Sequence, residues 1–251
     1  MKNILGEQEG VMCGRFAAFQ PVEATRKLFG AVNAAPSDAR PSWNIAPSQR
    51  ALVIRHHPET GERRIDLLSW GLVPHWAKDL KEARRPINAR AETLATSPMF
   101  KQAFTARRCL VPVDAWYEWQ VTPNGKRPFA FARTDRTTMA FAGLWESWNT
   151  PGTGKVLRTF TIITTAANAV AAPVHDRMPV ILDSGEWPLW LGEKTGEPAA
   201  LLRLVPDIMI EAWPVGRSVN SPHKNGPELI SPLAEQKDLY LPDPVDHVDW
   251  Q

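Results

Sequence analysis

The stretch that decides the fold is residues 109–133, "CLVPVDAWYEWQVTPNGKRPFAFAR". Two runs rich in β-branched and aromatic residues, 109–121 and 127–133, flank "TPNGK". Its Asn124-Gly125 pair is a strong hairpin signal, because both residue types tolerate the positive φ of a tight hairpin turn. The same β-rich pattern extends outward in both directions. "TMAFAGLWESW" (138–148), "RTFTIITTAAN" (158–168) and "MPVIL" (178–182) continue it, and "RALVIRH" (50–56) and "RIDLLSWGLVP" (64–74) flank "HPETGER" as another hairpin. Helical signals are short and peripheral. "VEATRKLFG" (22–30) ends at a glycine, and "SPMFKQAFTARR" (97–108) starts at Ser-Pro and ends in basic residues that suit a negative C-terminal end. Two more short helices are expected at "SGEWPLWLG" (184–192) and "PAALLRLV" (198–205), whereas Pro/Ser-rich "APSDARPSWNIAPSQ" (35–49) reads as irregular. No repeat, linker or low-complexity block divides the chain. The expectation is one α+β domain with a largely antiparallel, barrel-like β core and peripheral short helices.

Composition narrows the class. The chain has 251 residues, of which 43% are hydrophobic and 22% charged, as in an ordinary globular protein. No stretch approaches the roughly 20 apolar residues that span a bilayer, and the N-terminal residues lack the pattern of a secretory signal, so a cytoplasmic location without membrane attachment is expected. Two cysteines, Cys13 and Cys109, are too few for a disulfide framework or a structural zinc site. The histidines are scattered apart from adjacent His56 and His57, and neither a metal nor a cofactor is expected. The 23 prolines argue against a helical bundle. Most of the 11 tryptophans belong in the core, although exposed ones make stacking platforms for unpaired bases.

The net charge of +2 hides a segregated distribution. Between Lys78 and Arg108 stand eight basic and three acidic residues, whereas from Gly226 onward one lysine faces six acids. The first segment is a solvated face or a groove that tracks phosphates; the second suits a solvated tail.

Four places carry possible chemistry. Cys13 in "VMCGRF" is a small buried hydrophobe or a nucleophile, and Cys109, which opens an apolar strand, is core filling. Asn88 and Arg90 in "PINARAET" cap and solvate a turn or serve a site. Glu118 stands between aromatics on a strand, where a carboxylate is costly unless paired or used. His175 in "PVHDRMPVIL" is a structural histidine or an acid/base. Cysteine, histidine and glutamate could together supply a nucleophile, a base and an orienting group.

Taken in order, "MCGRF", "NIAPSQ", "WGLVPHW", "INARAET", "DAWYEW", "TTAAN" and "VHDRMPVIL" resemble the SRAP family, the SOS response-associated peptidase or abasic-site processing proteins. The resemblance runs from Cys13 to about residue 230. It implies an SRAP-like domain over 13–235, an N-terminal extension at 1–12 and an acidic tail at 236–251. It also implies a protein of the DNA-damage response that recognises abasic sites in single-stranded DNA and crosslinks to them covalently, associated with the nucleoid when bound; a monomer is the default expectation. Cys13 matches the family's nucleophile, and Asn88, Glu118 and His175 match its other active-site residues. Arg15, Arg90 and Arg177 match its DNA-contacting arginines, and Thr164, which opens "TTAAN", falls in the same set. Trp76 and Trp119 are the expected stacking aromatics.

The implied chemistry needs a particular nitrogen. An opened abasic sugar is an aldehyde, captured best by an amine that is partly unprotonated. An α-amine titrates near ~7.7–8.0 and lysine near ~10.4, so the α-amine has a free-base fraction a few hundred times larger at neutral pH. The thiol of the same residue can then close a five-membered thiazolidine. An internal cysteine cannot do this, since its nitrogen is an amide. Two other classes remain open: a cysteine peptidase with autoproteolytic activity, using the Cys13 thiol and His175, and a non-covalent single-strand-binding module. The twelve residues before Cys13 would block the amine, so translation is expected to begin at Met12, or the extension to be cut off. N-terminal sequencing of native protein is predicted to read Cys-Gly-Arg-Phe; a mature chain that begins at Met1 contradicts this.

Overall fold

Five strands close into a barrel, and the 109–133 stretch links that barrel to a second sheet. In chain order the elements are β1 (Arg15–Ala18), α1 (Val22–Leu28), β2 (Ser42–Ile45), β3 (Arg50–His56), β4 (Arg63–Trp70), β5 (Asn88–Arg90), α2 (Lys101–Ala106), β6 (Arg108–Val113), β7 (Ala115–Thr122), β8 (Gly125–Arg133), β9 (Met139–Asn149), β10 (Val156–Ala166), β11 (Arg177–Pro179), β12 (Ile181–Leu182), α3 (Trp187–Leu191) and β13 (Ile210–Pro214). The computed structural model describes residues 13–57 and 59–233. The expected extension at 1–12 and acidic tail at 236–251 lie outside the described residues.

The barrel runs β10-β4-β3-β6-β9 and returns to β10. Only the β4–β10 pair in this ring is parallel, with Ser69 opposite Thr159. A second sheet, β13-β8-β7-β1-β2, is antiparallel throughout. Strands β3 and β6 of the barrel read as continuous apolar runs because both of their faces are buried. Ala51, Val53, Cys109 and Val111 join one core cluster, while their alternating neighbours Leu52, Ile54 and Leu110 join another under α1 and α3. The first cluster also takes in the second sheet. Phe16 of β1 meets Trp70 edge-on at 5.0 Å, and Trp116 of β7 stacks on Phe131 at 4.8 Å while its edge meets Phe141 of β9. The two sheets thus share one core, and Cys109 is a buried part of it.

Several expectations need adjustment. The hairpin lies where the Asn-Gly signal put it, but Thr122 pairs with Gly125, so Pro123 and Asn124 form the loop and Gly125, at φ +98°, opens β8. Proline's fixed φ favours the first loop position, and the glycine supplies the positive φ that follows it. Strands β1, β2, β5 and β13 lay in stretches that carry no strand signal, β2 within the segment expected to be irregular. Helix α2 begins four residues later than expected, and 198–205 gives only a 3₁₀ turn at Pro198–Leu201. The C-terminal end of α2 is capped as the basic residues suggested: Arg108 donates to the carbonyls of Phe104 and Thr105.

Gly143 sits where β9 passes between β6 and β10, opposite Cys109 and Ile162. A Cβ there would lie 3.0 Å from the Cys109 sulfur and 3.0 Å from the Thr161 carbonyl oxygen. Gly143→Ala is predicted to destabilise the protein by about 1–3 kcal/mol in denaturant unfolding, through overpacking at the barrel seam; an unchanged midpoint contradicts this packing.

Candidate active site

The site is built where β1 pairs with β7. Arg15 lies opposite Tyr117 and Phe16 opposite Trp116, which sets the residues before β1 beside Glu118. Cys13 bends the chain at φ +36°, a conformation rare for a residue with a side chain, and its backbone N–H donates to Glu118 Oε1 at 2.8 Å. Both residues are buried, Cys13 to 1% and Glu118 to 2% exposure. Burial pushes the Glu118 carboxyl up to about 8; the Cys13 N–H bond opposes the rise and the charge of Asp176 adds to it. Burial, with the Glu118 charge, also pushes the Cys13 thiol well above its ordinary value. At neutral pH the pair is therefore a protonated carboxyl facing a nitrogen, next to a thiol that keeps its proton.

His175 reaches this neighbourhood through a tight turn. Asn168 accepts from the Ala171 N–H at 3.0 Å and donates to the Val205 carbonyl, and the Ala171 carbonyl accepts from the His175 N–H. Gln120 of β7 donates to the Pro173 carbonyl at 3.0 Å, which docks the turn two residues beyond Glu118. The Arg177 N–H donates to His175 Nδ1 at 3.1 Å, so in the neutral ring the proton resides on Nε2. Burial lowers the His175 pKa, and the neighbouring Asp176 carboxylate counters this in part.

The remaining expected residues gather at the end of β10. Asn88 lies on β5 opposite Ile162, which shares a core cluster with Cys13, and Arg90 lies opposite Thr164. On the other flank β11 sets Pro179 opposite Thr164. Arg177 spans both flanks: it donates to both carboxylate oxygens of Glu92 at 2.6 and 2.9 Å and to the Thr164 carbonyl at 2.7 Å. Thr164 is buried, and the Arg177 side chain, 11% exposed, is held by the Glu92 carboxylate, so the two form a clamp across β10.

Arg15 and Trp119 do come together, with the guanidinium 5.9 Å from the indole ring. Arg15 donates to Asn44 Oδ1 and the Val219 carbonyl, and Trp119 Nε1 donates to Asn220 Oδ1 at 2.7 Å. Trp76 stands apart on the segment after β4 and is 56% exposed. Within the basic segment, Lys78, Lys81, Arg84, Arg85, Arg90 and Lys101 are exposed. Arg107 and Arg108 are not; they are spent on Glu146 and on the carbonyls that end α2.

Residues that position the site escaped sequence reasoning. Buried Asn44 links Arg15 to the carbonyls of Ser221 and Lys224. Asn168 folds the turn that delivers His175, and Glu92 holds Arg177. Asn44 and Asn168 stand in "NIAPSQ" and "TTAAN", and their place in those motifs was the available signal; both prove to be buried.

The family described as SOS response associated peptidase (SRAP) matches residues 12–222. The chain belongs to the SRAP family. Among SRAP relatives, the Bacillus subtilis abasic site processing protein YoqW is 42% identical over 224 residues, covering 87% of this chain and 99% of that one. Escherichia coli abasic site processing protein YedK is 32% identical, covering 88% of this chain and 100% of its own length. The Gallus gallus abasic site processing protein HMCES is 30% identical, with 77% of this chain and 67% of its own length covered. The SRAP fold recurs in a crystal structure of a Bacteroides thetaiotaomicron protein, 23% identical, with a TM-score of 0.80 over 88% of this chain and 100% of that one. Among the described residues, no group of three or more His, Cys, Asp or Glu could hold a metal ion, and no helix is long and apolar enough to cross a membrane.

The raised Glu118 pKa has a sign in stability. The folded state keeps a proton that the unfolded state releases, so the Glu118 contribution falls as pH rises from the ordinary carboxylate range to about 8. Denaturant unfolding at about pH 5 and about pH 9 is predicted to show a larger loss for the parent than for Glu118→Gln. Equal losses contradict a buried, protonated Glu118.

Proposed function

We propose that this chain processes abasic sites by binding single-stranded DNA and capturing the opened sugar as a thiazolidine on Cys13. The observation that carries the reading is the 2.8 Å bond between the Cys13 nitrogen and Glu118. A carboxyl that titrates near the pKa of an α-amine, aimed at that nitrogen, suits the two proton transfers of imine formation. The names of the SRAP relatives support the lesion as substrate.

The steps balance without a cofactor. With Cys13 as first residue, its free amine adds to the aldehyde carbon to give a carbinolamine. Glu118 delivers a proton to the departing hydroxyl, which leaves as water, and the imine forms. The Cys13 thiol then adds to the imine carbon while its proton passes to nitrogen. One C–N and one C–S bond form, and one water is lost. Neutral His175 acts on the sugar hydroxyl during ring opening, and Asn88 positions the amine or the sugar. Arg15 and Arg90 hold phosphates, with Trp119 and Trp76 as stacking faces. Arg177, Glu92 and Thr164 keep β5, which carries Asn88, and β11, which follows His175, in register on β10.

The peptidase alternative draws less support. An acyl nucleophile works as a thiolate, whereas burial here favours the thiol, and the hydrogen bonds of the His175 ring and N–H run to Arg177 and Ala171. Protein that begins at Cys13 is predicted to form an adduct with an abasic oligonucleotide that survives denaturation. Cys13→Ser keeps the amine and gives only a Schiff base trapped by reduction, and Glu118→Gln slows adduct formation by about 10²–10⁴-fold. A stable adduct undiminished in Cys13→Ser refutes the mechanism. Binding is predicted to weaken steeply between about 50 and 200 mM salt, and a flat response contradicts a phosphate groove.

A further inference from the structure

A buried ionic cluster lies outside the Cys13 site. Glu146 of β9 is 2% exposed; its Oε1 accepts from Arg107 Nη2 at 2.7 Å and lies 3.3 Å from His75 Nδ1, while Oε2 is buried with no hydrogen-bond partner among the described residues. A carboxylate so desolvated is costly unless its partners are held firmly. Arg107 follows α2, and His75 lies in the segment that leaves β4. Glu146 therefore ties three elements together.

That segment is fastened at every second residue. The Gly71 N–H donates to the Phe160 carbonyl, the Val73 N–H to Thr159 Oγ1 at 2.9 Å, His75 meets Glu146, and the Ala77 carbonyl accepts from Trp148 Nε1 at 2.7 Å. Residues 75 and 76 form a turn, closed where the Ala77 N–H donates to the Pro74 carbonyl at 2.9 Å. Trp76, between the last two fastenings, is turned out to solvent, and with Lys78, Asp79, Glu82 and Arg84 it lines a cavity of about 340 Å³. An indole exposed to 56% on a strap so fixed is a preorganised flat surface for stacking.

We infer that Glu146 is a positioning residue that, through His75 and the strap, holds Trp76 as a stacking platform for an unpaired base. The inference rests on the single-strand reading above and adds a residue remote in sequence from the reacting groups. It separates affinity from chemistry: Glu146 acts on how tightly DNA is held and not on the capture step at Cys13.

The test uses full chain beginning at Cys13 and two probes, a labelled single-stranded oligonucleotide without a lesion for reversible binding and the abasic oligonucleotide for crosslinking. Trp76→Ala is expected to weaken binding roughly tenfold, the range of a lost base–aromatic stack. Glu146→Gln, nearly the same shape without the charge, is expected to weaken it several-fold, while its crosslinking rate at saturating DNA stays within about twofold of the parent. The double variant is expected to bind no more weakly than Trp76→Ala alone, because Glu146 acts through that ring. Losses that multiply in the double variant, or parent-like binding by Glu146→Gln, overturn the inference. Should Glu146→Gln fail to fold, His75→Ala, which alters a partly exposed ring, must show the same non-additivity. A parent protein that does not bind the lesion-free strand refutes the single-strand reading and this inference together; a parent that binds, with uncoupled variants, refutes only the role of Glu146.

Discussion

The hydrogen bond from the Cys13 nitrogen to a buried, protonated Glu118 is the contact on which the rest of the site depends. A carboxyl in this position would be expelled or paired with a cation if it served only structure. Here, among the described residues, it meets a backbone nitrogen and no cation, and burial holds it in the acid form at neutral pH. The β1–β7 register makes the contact possible, since one residue of slip would carry Glu118 to the opposite face of its strand.

The fold supplies this contact with a rigid support and leaves its approaches to irregular segments. Trp70, Phe16, Trp116 and Phe131 lock the two sheets through one core, so the floor of the site is fixed by packing. The residues around it arrive on short strands and turns held by buried polar side chains. Asn44 secures Arg15, Asn168 folds the turn to His175, and the Arg177–Glu92 pair bridges the flanks of β10. Asp114 works in the same way at the β6–β7 corner, where its carboxylate accepts from the N–H groups of Phe19 and Gln20 and from the Thr138 hydroxyl.

How far the sequence could be read follows from this division. The long barrel strands and the hairpins announce themselves, because strands buried on both faces appear as unbroken apolar runs between turn residues. Strands β1, β2, β5 and β13 have three to five residues each, and their strand character comes from partners distant in sequence, such as Ile162 for Asn88 or Phe131 for Ala212. Local pattern holds no record of such pairing. Glu118 was legible because a carboxylate among aromatics needs a reason. Glu146, between Trp145 and Ser147, offered the same oddity, but its partners His75 and Arg107 lie 71 and 39 residues away. Arginines are hard to read for a related cause: sequence records their charge and not its employment, and Arg107, Arg108 and Arg177 all have partners within the fold.

The Cys13 nitrogen is the atom on which the proposed capture turns. Intact mass spectrometry of two preparations, one beginning at Cys13 and one with residues 1–12 still joined to it, after incubation with the same abasic oligonucleotide, addresses it directly. The account predicts a denaturation-resistant species equal to protein plus oligonucleotide less one water in the first preparation and none in the second. The same species on the longer chain would contradict it.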